Sequence, residues 1–168
     1  MDSPIDAAGS LDPDIFRSVM SHVPTGVAVV TAMTRGGPVG LTVGTFLSVS
    51  LNPSLIGFLP ARSSSTWPVI VPIGRFCVNV LAEESESLCR SFAKSGGDKF
   101  EGLNWELSAN GSPVLAEALV WFDCLYEHSY PAGDHLFVLG RVMDLAVNGG
   151  GSPLVFVNGG YRRLTKVA

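Results

Sequence analysis

The sequence is short of charge. Only 15% of its 168 residues are charged, against about 25% in an average soluble domain, while 46% are hydrophobic. Because so few charged residues have difficulty covering a whole surface, we expect apolar surface that a second subunit or a ligand covers. A monomer with an ordinary mixed surface is the alternative. The net charge of −4 provides no basic surface for a phosphate backbone, which argues against a nucleic-acid partner.

Long apolar runs and targeting segments are also missing. No run approaches the roughly 18 apolar residues that cross a bilayer, and the acidic start MDSPIDAAGS lacks the regions of a signal peptide. Cys77, Cys89 and Cys124 form neither a zinc pattern nor a disulfide framework, so we interpret them as small buried side chains in a reducing compartment. We expect a cytoplasmic protein without a membrane partner.

Motifs of nucleotide binding and hydrolysis are absent as well. The chain has no GxGxxG after a strand, no GxxxxGK[ST] loop and no GxSxG elbow. His22, His128 and His135 do not stand at the intervals of a metal site. The sequence therefore predicts no metal centre and no conventional hydrolase site.

Strand patterns dominate what is present. Eight or so short β-rich runs follow Gly26, including a long hairpin over 119–129 and 135–147. Asp12 before Pro13 predicts a first helix with one apolar face packed on something apolar, and EESESLCRSFAK predicts a second helix. We expect a barrel or sandwich, because closure removes exposed sheet edges. Residues 1–11 look like a loose arm, and 12–168 like a single domain.

Small hydroxyl residues concentrate in two stretches. The first holds Thr42, Thr45, Ser48 and Ser50, and the second holds Ser63, Ser64, Ser65 and Thr66. Such residues offer hydroxyl donors and let backbone N–H groups approach an anion, and Thr66 is also suited to cap a short helix at Trp67. Turns and half-exposed strands have the same composition, so a structural role stays open for both stretches.

Two further groups are candidates for binding. His135 follows Gly133 and Asp134 at the tip of the long hairpin, where an imidazole can hydrogen-bond a substrate or shuttle a proton. The alternative is a turn histidine bonded to Asp134 or to the backbone. Near the C-terminus, Tyr161-Arg162-Arg163 supplies an aromatic plane and cations that suit a ring or a phosphate, although a basic tail has the same composition.

In this order, the segments resemble the flavin reductase family of the FMN-binding split-barrel superfamily, the small reductase components of two-component flavin monooxygenases. The resemblance runs from about Phe16 to Leu164. The matching segments are FRSVMSHVPTGVAVVT, TVGTFLSVSLNPSL, RSSSTWPVI, RFCVNVLAEES, LCRSFAKSGGDKFEG, GSPVL, AGDHLFVLGRV and PLVFVNGGYRRL.

The resemblance implies a mainly β fold with flanking helices, a split β-barrel of Greek-key type that forms a homodimer with one flavin per subunit. His135 is implied as the catalytic residue that contacts the nicotinamide, and Tyr161 and Arg162 as the border of the same nucleotide pocket. The implied flavin contacts are Pro24, Thr25, Gly26, Thr42, Val43, Gly44, Thr45, Ser48, Ser50, Ser63, Ser64, Ser65, Thr66, Phe92, Ala93, Lys99 and Phe100.

Gly44-Thr45 departs from the family, whose members often have Asn followed by Ser here. Gly44 removes a side-chain amide from the edge of the flavin ring, so we expect backbone contacts at this position.

The implied enzyme oxidises NADH or NADPH, reduces FAD or FMN and passes reduced flavin by diffusion to a partner monooxygenase. Orientation of two rings supplies most of such catalysis, which accounts for the missing acid–base constellation. A non-catalytic flavin-binding electron carrier and a barrel for a small apolar ligand are the alternatives. The sequence leaves the preferred flavin and nucleotide open.

Overall fold

A computed structural model of the chain describes residues 11–94 and 96–165, so nearly all of the arm expected at 1–11 lies outside the described residues. Strands dominate the described part, which confirms the mainly β prediction. The helices are α1 (Pro13–Met20), α2 (Trp67–Ile70) and α3 (Glu86–Ala93). The strands are β1 (Thr25–Gly26), β2 (Ala28–Thr34), β3 (Gly37–Val43), β4 (Phe46–Leu51), β5 (Ser54–Phe58), β6 (Arg75–Leu81), β7 (Trp105–Leu107), β8 (Pro113–Leu115), β9 (Ala118–Ala132), β10 (His135–Val147), β11 (Val155–Val157) and β12 (Gly160–Arg162).

Seven strands form one antiparallel sheet in the order β3-β2-β6-β9-β10-β5-β4. Its two edge strands, β3 and β4, follow each other in the chain, and only Gly44 and Thr45 separate them. Because so short a link spans at most about 11 Å, the sheet must curl until its edges approach each other. No ladder joins β3 to β4 in the described ranges, so the sheet stays open.

The concave face of the curled sheet encloses one hydrophobic core. Val30, Val78 and Phe76 point into it, because alternate residues of a strand share one face. Trp67 of α2 inserts among them, with its ring centroid 5.3 Å from that of Phe58 and 6.0 Å from that of Phe76, both edge to face. The segment after β5 is thereby anchored at one end of the curl.

The convex face carries a second core under α3 and the β7–β8 hairpin. Val29 and Leu81 of the sheet pack there against Leu88 and Phe92 of α3. The buried amide of Asn79 donates to the Val29 carbonyl oxygen (3.2 Å) and to Thr31 Oγ1 (3.0 Å), and its oxygen accepts the Leu115 N–H (2.9 Å). This satisfied polar group ties β8 to the sheet in one register.

Helix α1 begins as predicted, and its apolar face is exposed in the single chain. Asp12 Oδ1 accepts the N–H of Asp14 (2.7 Å) and of Ile15 (3.4 Å), and Pro13 takes the first helical position. No residue of α1 is buried and Phe16 and Val19 are exposed, so no apolar surface within the described chain covers this face. Periodicity shows that a helix has an apolar face, but not which surface covers it.

Three shorter findings complete the fold. The long hairpin turns at Gly133 and Asp134, so its first strand runs further than predicted while its second strand has the predicted bounds, and Gly133 adopts φ +62° there. Cys77, Cys89 and Cys124 are free and buried, as expected. None of the helices in the described ranges is long and apolar enough to cross a bilayer.

Candidate functional site

A groove of about 340 Å³ lies beside the C-terminal end of β3, and we call it the first groove. Four remote parts of the chain line it: the end of β3, the segment after β5, the end of α3 with Lys99, and His135 at the start of β10. Among the described residues that line it there is no aspartate or glutamate, whereas Lys94 and Lys99 are present. The groove therefore favours an anionic ligand.

Backbone pairing holds the segment after β5 against the tip of the long hairpin. Ala61 forms a bridge with His135, Arg62 N donates to the Asp134 carbonyl oxygen (2.9 Å), and Leu136 N donates to the Pro60 carbonyl oxygen (3.0 Å). These bonds explain why His135 stands beside the serine-rich stretch although about 70 residues separate them in the chain.

In the serine-rich stretch, one hydroxyl is used for hydrogen bonds within the protein and the others are available in the groove. Ser64 Oγ accepts the N–H of Thr66 (3.3 Å) and of Trp67 (3.1 Å), so Ser64 performs the capping that the sequence suggested for Thr66. Thr66 makes no side-chain cap bond. The hydroxyls of Ser63, Ser65 and Thr66 have no partner among the described residues, and all three residues line the groove. They remain available to a ligand.

Helix α3 is fitted closely against β3. Thr42 Oγ1 donates to the Cys89 carbonyl oxygen at 3.0 Å, so this hydroxyl holds the helix and is not free in the groove. At Gly40 a Cβ atom would lie 2.6 Å from the Phe92 ring, which only glycine avoids. This close approach brings Phe92 and Ala93 into the wall of the groove.

Lys99 brings a partly buried cation into the groove. Its Nζ donates to the carbonyl oxygens of Gly40 (3.3 Å) and Phe92 (3.0 Å). Partial burial lowers the pKa of the Lys99 ammonium, because desolvation disfavours the charged form. The two carbonyl bonds fix the position of the ammonium between β3 and α3.

His135 is oriented by the residue before it. Its Nδ1 donates to Asp134 Oδ1 at 2.7 Å, and this hydrogen bond lowers the pKa of the Asp134 carboxyl. The bond that the alternative interpretation expected is therefore present, yet the same imidazole also lines the groove. With Nδ1 engaged, Nε2 is the nitrogen left for a ligand.

The structure gathers most of the residues singled out from the sequence. Those that line the first groove are Thr42, Val43, Gly44, Ser63, Ser64, Ser65, Thr66, Phe92, Ala93, Lys99 and His135. Those that do not line it are Pro24, Thr25, Gly26, Thr45, Ser48, Ser50, Phe100, Tyr161 and Arg162. Leu41, Leu59, Pro60, Ala61 and Lys94 line it without having been singled out, and for Leu59, Pro60 and Ala61 the available signal was their position shortly before Ser63.

The residues outside the groove have identifiable places. Ser48 and Ser50 lie on edge strand β4 opposite Ile56 and Leu55. Thr25 is close to the groove, since a Cβ atom built on Gly44 would meet Thr25 Oγ1 at 4.0 Å. There is thus room for a side chain at position 44, and its absence leaves this part of the wall open.

Tyr161 packs behind α3. Its Oη lies 2.9 Å from Cys89 Sγ, and the Arg90 guanidinium lies 4.9 Å from its ring centroid. Burial raises the pKa of Tyr161 to about 12. Arg162 is exposed and donates to the Tyr161 carbonyl oxygen at 2.9 Å. Tyr161 therefore supports α3 from outside the groove.

Several proteins similar to this chain are flavin enzymes by name. A flavin reductase of Pseudomonas putida is 48% identical over 153 residues, which make up 90% of this chain and 90% of that protein. The reductase subunit of a flavin-dependent monooxygenase of Rhodococcus jostii is 41% identical over 155 residues, which make up 92% of this chain and 80% of that protein.

A solved structure of a flavin enzyme is also similar to this chain. The NADH:FAD oxidoreductase of Streptomyces globisporus, in complex with NAD and FAD fragments, matches with a TM-score of 0.87 and 30% identity over 98% of each chain. The family model described as flavin reductase like domain matches residues 20–165, which is most of the sequence. The chain therefore belongs to the flavin reductase-like family.

Proposed function

We propose that the protein is an NAD(P)H-dependent flavin reductase, which transfers a hydride from NADH or NADPH to FAD or FMN and supplies reduced flavin to a partner monooxygenase. The observation that carries the proposal is the first groove, which joins an apolar wall, free hydroxyls, two lysines and His135 without any carboxylate. Family membership supports the same chemistry.

The residues of the groove fit a flavin. Leu59, Ala61 and Ala93 offer accessible apolar surface for a ring, while Ser65, Thr66 and Lys99 offer donors for a phosphate. The bound flavin accepts the hydride, and the protein contributes mainly the orientation of the two rings. The lysines and the lack of carboxylates also favour negative charge on the reduced product.

His135 has a distinct role in this proposal. With Nδ1 donating to Asp134, Nε2 is the imidazole nitrogen that contacts the carboxamide of the nicotinamide. The pairing of Ala61 with His135 keeps the imidazole beside the flavin-binding stretch. His135 therefore orients the hydride donor over the ring.

The architecture belongs to the proposal too. We infer that the curled open sheet is the split barrel of this family, that 12–168 act as one domain, and that the protein works as a homodimer in the cytoplasm. The support for the barrel is the two-residue link between the edge strands. The support for the dimer is exposed apolar surface in a chain with little charge.

Steady-state kinetics with both nucleotides and both flavins tests the function. We expect NADH or NADPH consumption that depends on added flavin. No consumption in any of the four combinations contradicts the proposal. A protein that binds flavin tightly but never reacts with NADH or NADPH is instead an electron carrier, and one that leaves flavin fluorescence unchanged is not a flavin protein.

His135→Ala tests the assigned role. We expect KM for the nicotinamide nucleotide to rise about tenfold, because one hydrogen bond to the donor is lost. The flavin affinity, measured by fluorescence, should change by less than about twofold. His128→Ala is the matched control, since His128 is exposed on the same hairpin and does not line the first groove. Equal kinetics of the two variants remove His135 from the site.

A further inference from the structure

A second groove, of about 510 Å³, adjoins the first and is the larger of the two. Ser65, Thr66 and Lys99 line both grooves, so these residues form a shared border. Beyond them the second groove is lined by Pro38, Val39 and Val69 and by the segment that ends at Phe100. A ligand that fills both grooves must pass this border.

The border is suited to phosphate. The hydroxyls of Ser65 and Thr66 have no partner among the described residues. Lys99 Nζ has three N–H donors, of which two bind the carbonyl oxygens of Gly40 and Phe92, and the described residues offer no acceptor for the third. An ammonium whose position is fixed by carbonyl groups provides a charge-assisted donor at the junction.

The second groove differs from the first in its chemistry. Pro38, Val39 and Val69 make an apolar wall of a kind that contacts the face of a heterocyclic base. Asp98 is its only carboxylate among the described lining residues. Asp98 Oδ1 accepts the Phe100 N–H at 2.9 Å, and Oδ2 is left as an acceptor for a ribose hydroxyl. An apolar wall and one acceptor beyond a phosphate site match an adenosine.

We propose that the second groove binds the adenosine half of FAD, with its diphosphate at the border formed by Ser65, Thr66 and Lys99, so that FAD is the preferred flavin. The proposal rests on the proposed function, in which the first groove takes the flavin ring. FMN ends at its first phosphate and leaves the second groove empty. Because NADH carries the same adenosine diphosphate, the experiment must separate the two sources.

Fluorescence titration of the flavin-free protein measures the preference directly. We expect a dissociation constant for FAD about tenfold below that for FMN, since only FAD gains the contacts of the second groove. Val69→Trp fills that groove, and Val69 is 48% exposed, so the fold tolerates the change. FAD affinity should fall about tenfold and FMN affinity should stay. Leu107→Trp, at a residue 54% exposed that lines neither groove, is the matched control.

Lys99→Gln tests the border. It should weaken both flavins about tenfold, because each places a phosphate there. Equal affinities for FAD and FMN, or an equal effect of Val69→Trp on both, overturn the proposal while leaving flavin reduction intact. ADP that competes with NADH but not with FAD assigns the groove to the nicotinamide nucleotide and also overturns it. Failure of both flavins to bind rejects the proposed function itself.

Discussion

Asp123 carries a carboxyl group buried in the convex core. Its Oδ2 accepts the Asn110 N–H at 3.1 Å, whereas Oδ1 has no partner among the described residues. Burial raises the pKa of Asp123, and the nearby Asp144 carboxylate raises it further. At this residue the folded protein therefore binds a proton more tightly than the unfolded chain does.

This raised pKa predicts a pH dependence of stability. Because the native state holds the proton more tightly, the contribution of Asp123 is most favourable at low pH and is lost as the pH rises from about 3.8 through the raised pKa. Asp123→Asn keeps an oxygen for Asn110 and removes the buried charge. We expect the Tm of this variant to rise relative to that of the wild type as the pH increases through this interval. Below the interval the difference in Tm should not change.

Thermal melts at several pH values between about 3 and about 7 measure this difference in Tm. Asp14→Asn, at an exposed carboxylate of α1, is the control and should leave the profile unchanged. A constant difference between Asp123→Asn and the wild type at every pH contradicts the assignment of the buried charge.

At the scale of elements, much of the sheet could be predicted from the sequence. Strands β2 and β6 follow from runs of β-branched and apolar residues, and α3 follows from its spacing and its acidic start. Strands β1 and β12 have two and three residues, too few for a pattern to predict. Their pairing with β11 is decided by tertiary contacts.

The residues of the candidate site could be predicted from the sequence more easily than the contacts that bring them together. The serine-rich stretch and His135 were recognised from composition and resemblance. Their contact depends on the Ala61–His135 bridge, and the curl depends on the short link between β3 and β4, which no local pattern encodes. The role of Thr42 in holding α3, instead of facing the groove, likewise follows only from the packing of helix on strand.

The contact of α3 with β3 predicts the effect of Gly40→Ala. The added Cβ would lie 2.6 Å from the Phe92 ring and 3.2 Å from the Val30 carbonyl oxygen, so α3 must shift. We expect about 1–3 kcal/mol less unfolding free energy, measured by urea denaturation, and weaker flavin binding because Phe92 lines the groove. Gly36→Ala, whose Cβ meets its nearest atom at 3.6 Å, is the control for stability alone. Equal stability of the two variants contradicts this account.

At the scale of the whole molecule, the curled sheet leaves apolar side chains uncovered. Leu145 and Val147 of β10 lie opposite Phe122 and Val120, on the face that elsewhere encloses the concave core, yet both are exposed. Both residues thus pair with an apolar residue of β9, and together they form an exposed apolar stripe. This stripe continues the concave core beyond the part that one chain covers. A second copy of the chain is the occupant that the low charge and the proposed homodimer both indicate.

Substitution of Leu145 tests this surface. Leu145→Glu places a charge where two copies would exclude water, so we expect a dimer of the wild type and a monomer of the variant in multi-angle light scattering. Leu107→Glu is a close control, since Leu107 and Leu145 are both 54% exposed and Leu107 lies on the separate β7–β8 hairpin. A monomeric wild type, or a dimer that survives Leu145→Glu, rules out this stripe as the interface. If dissociation also lowers flavin affinity, the second copy supports the groove, because Leu145 itself lines neither groove.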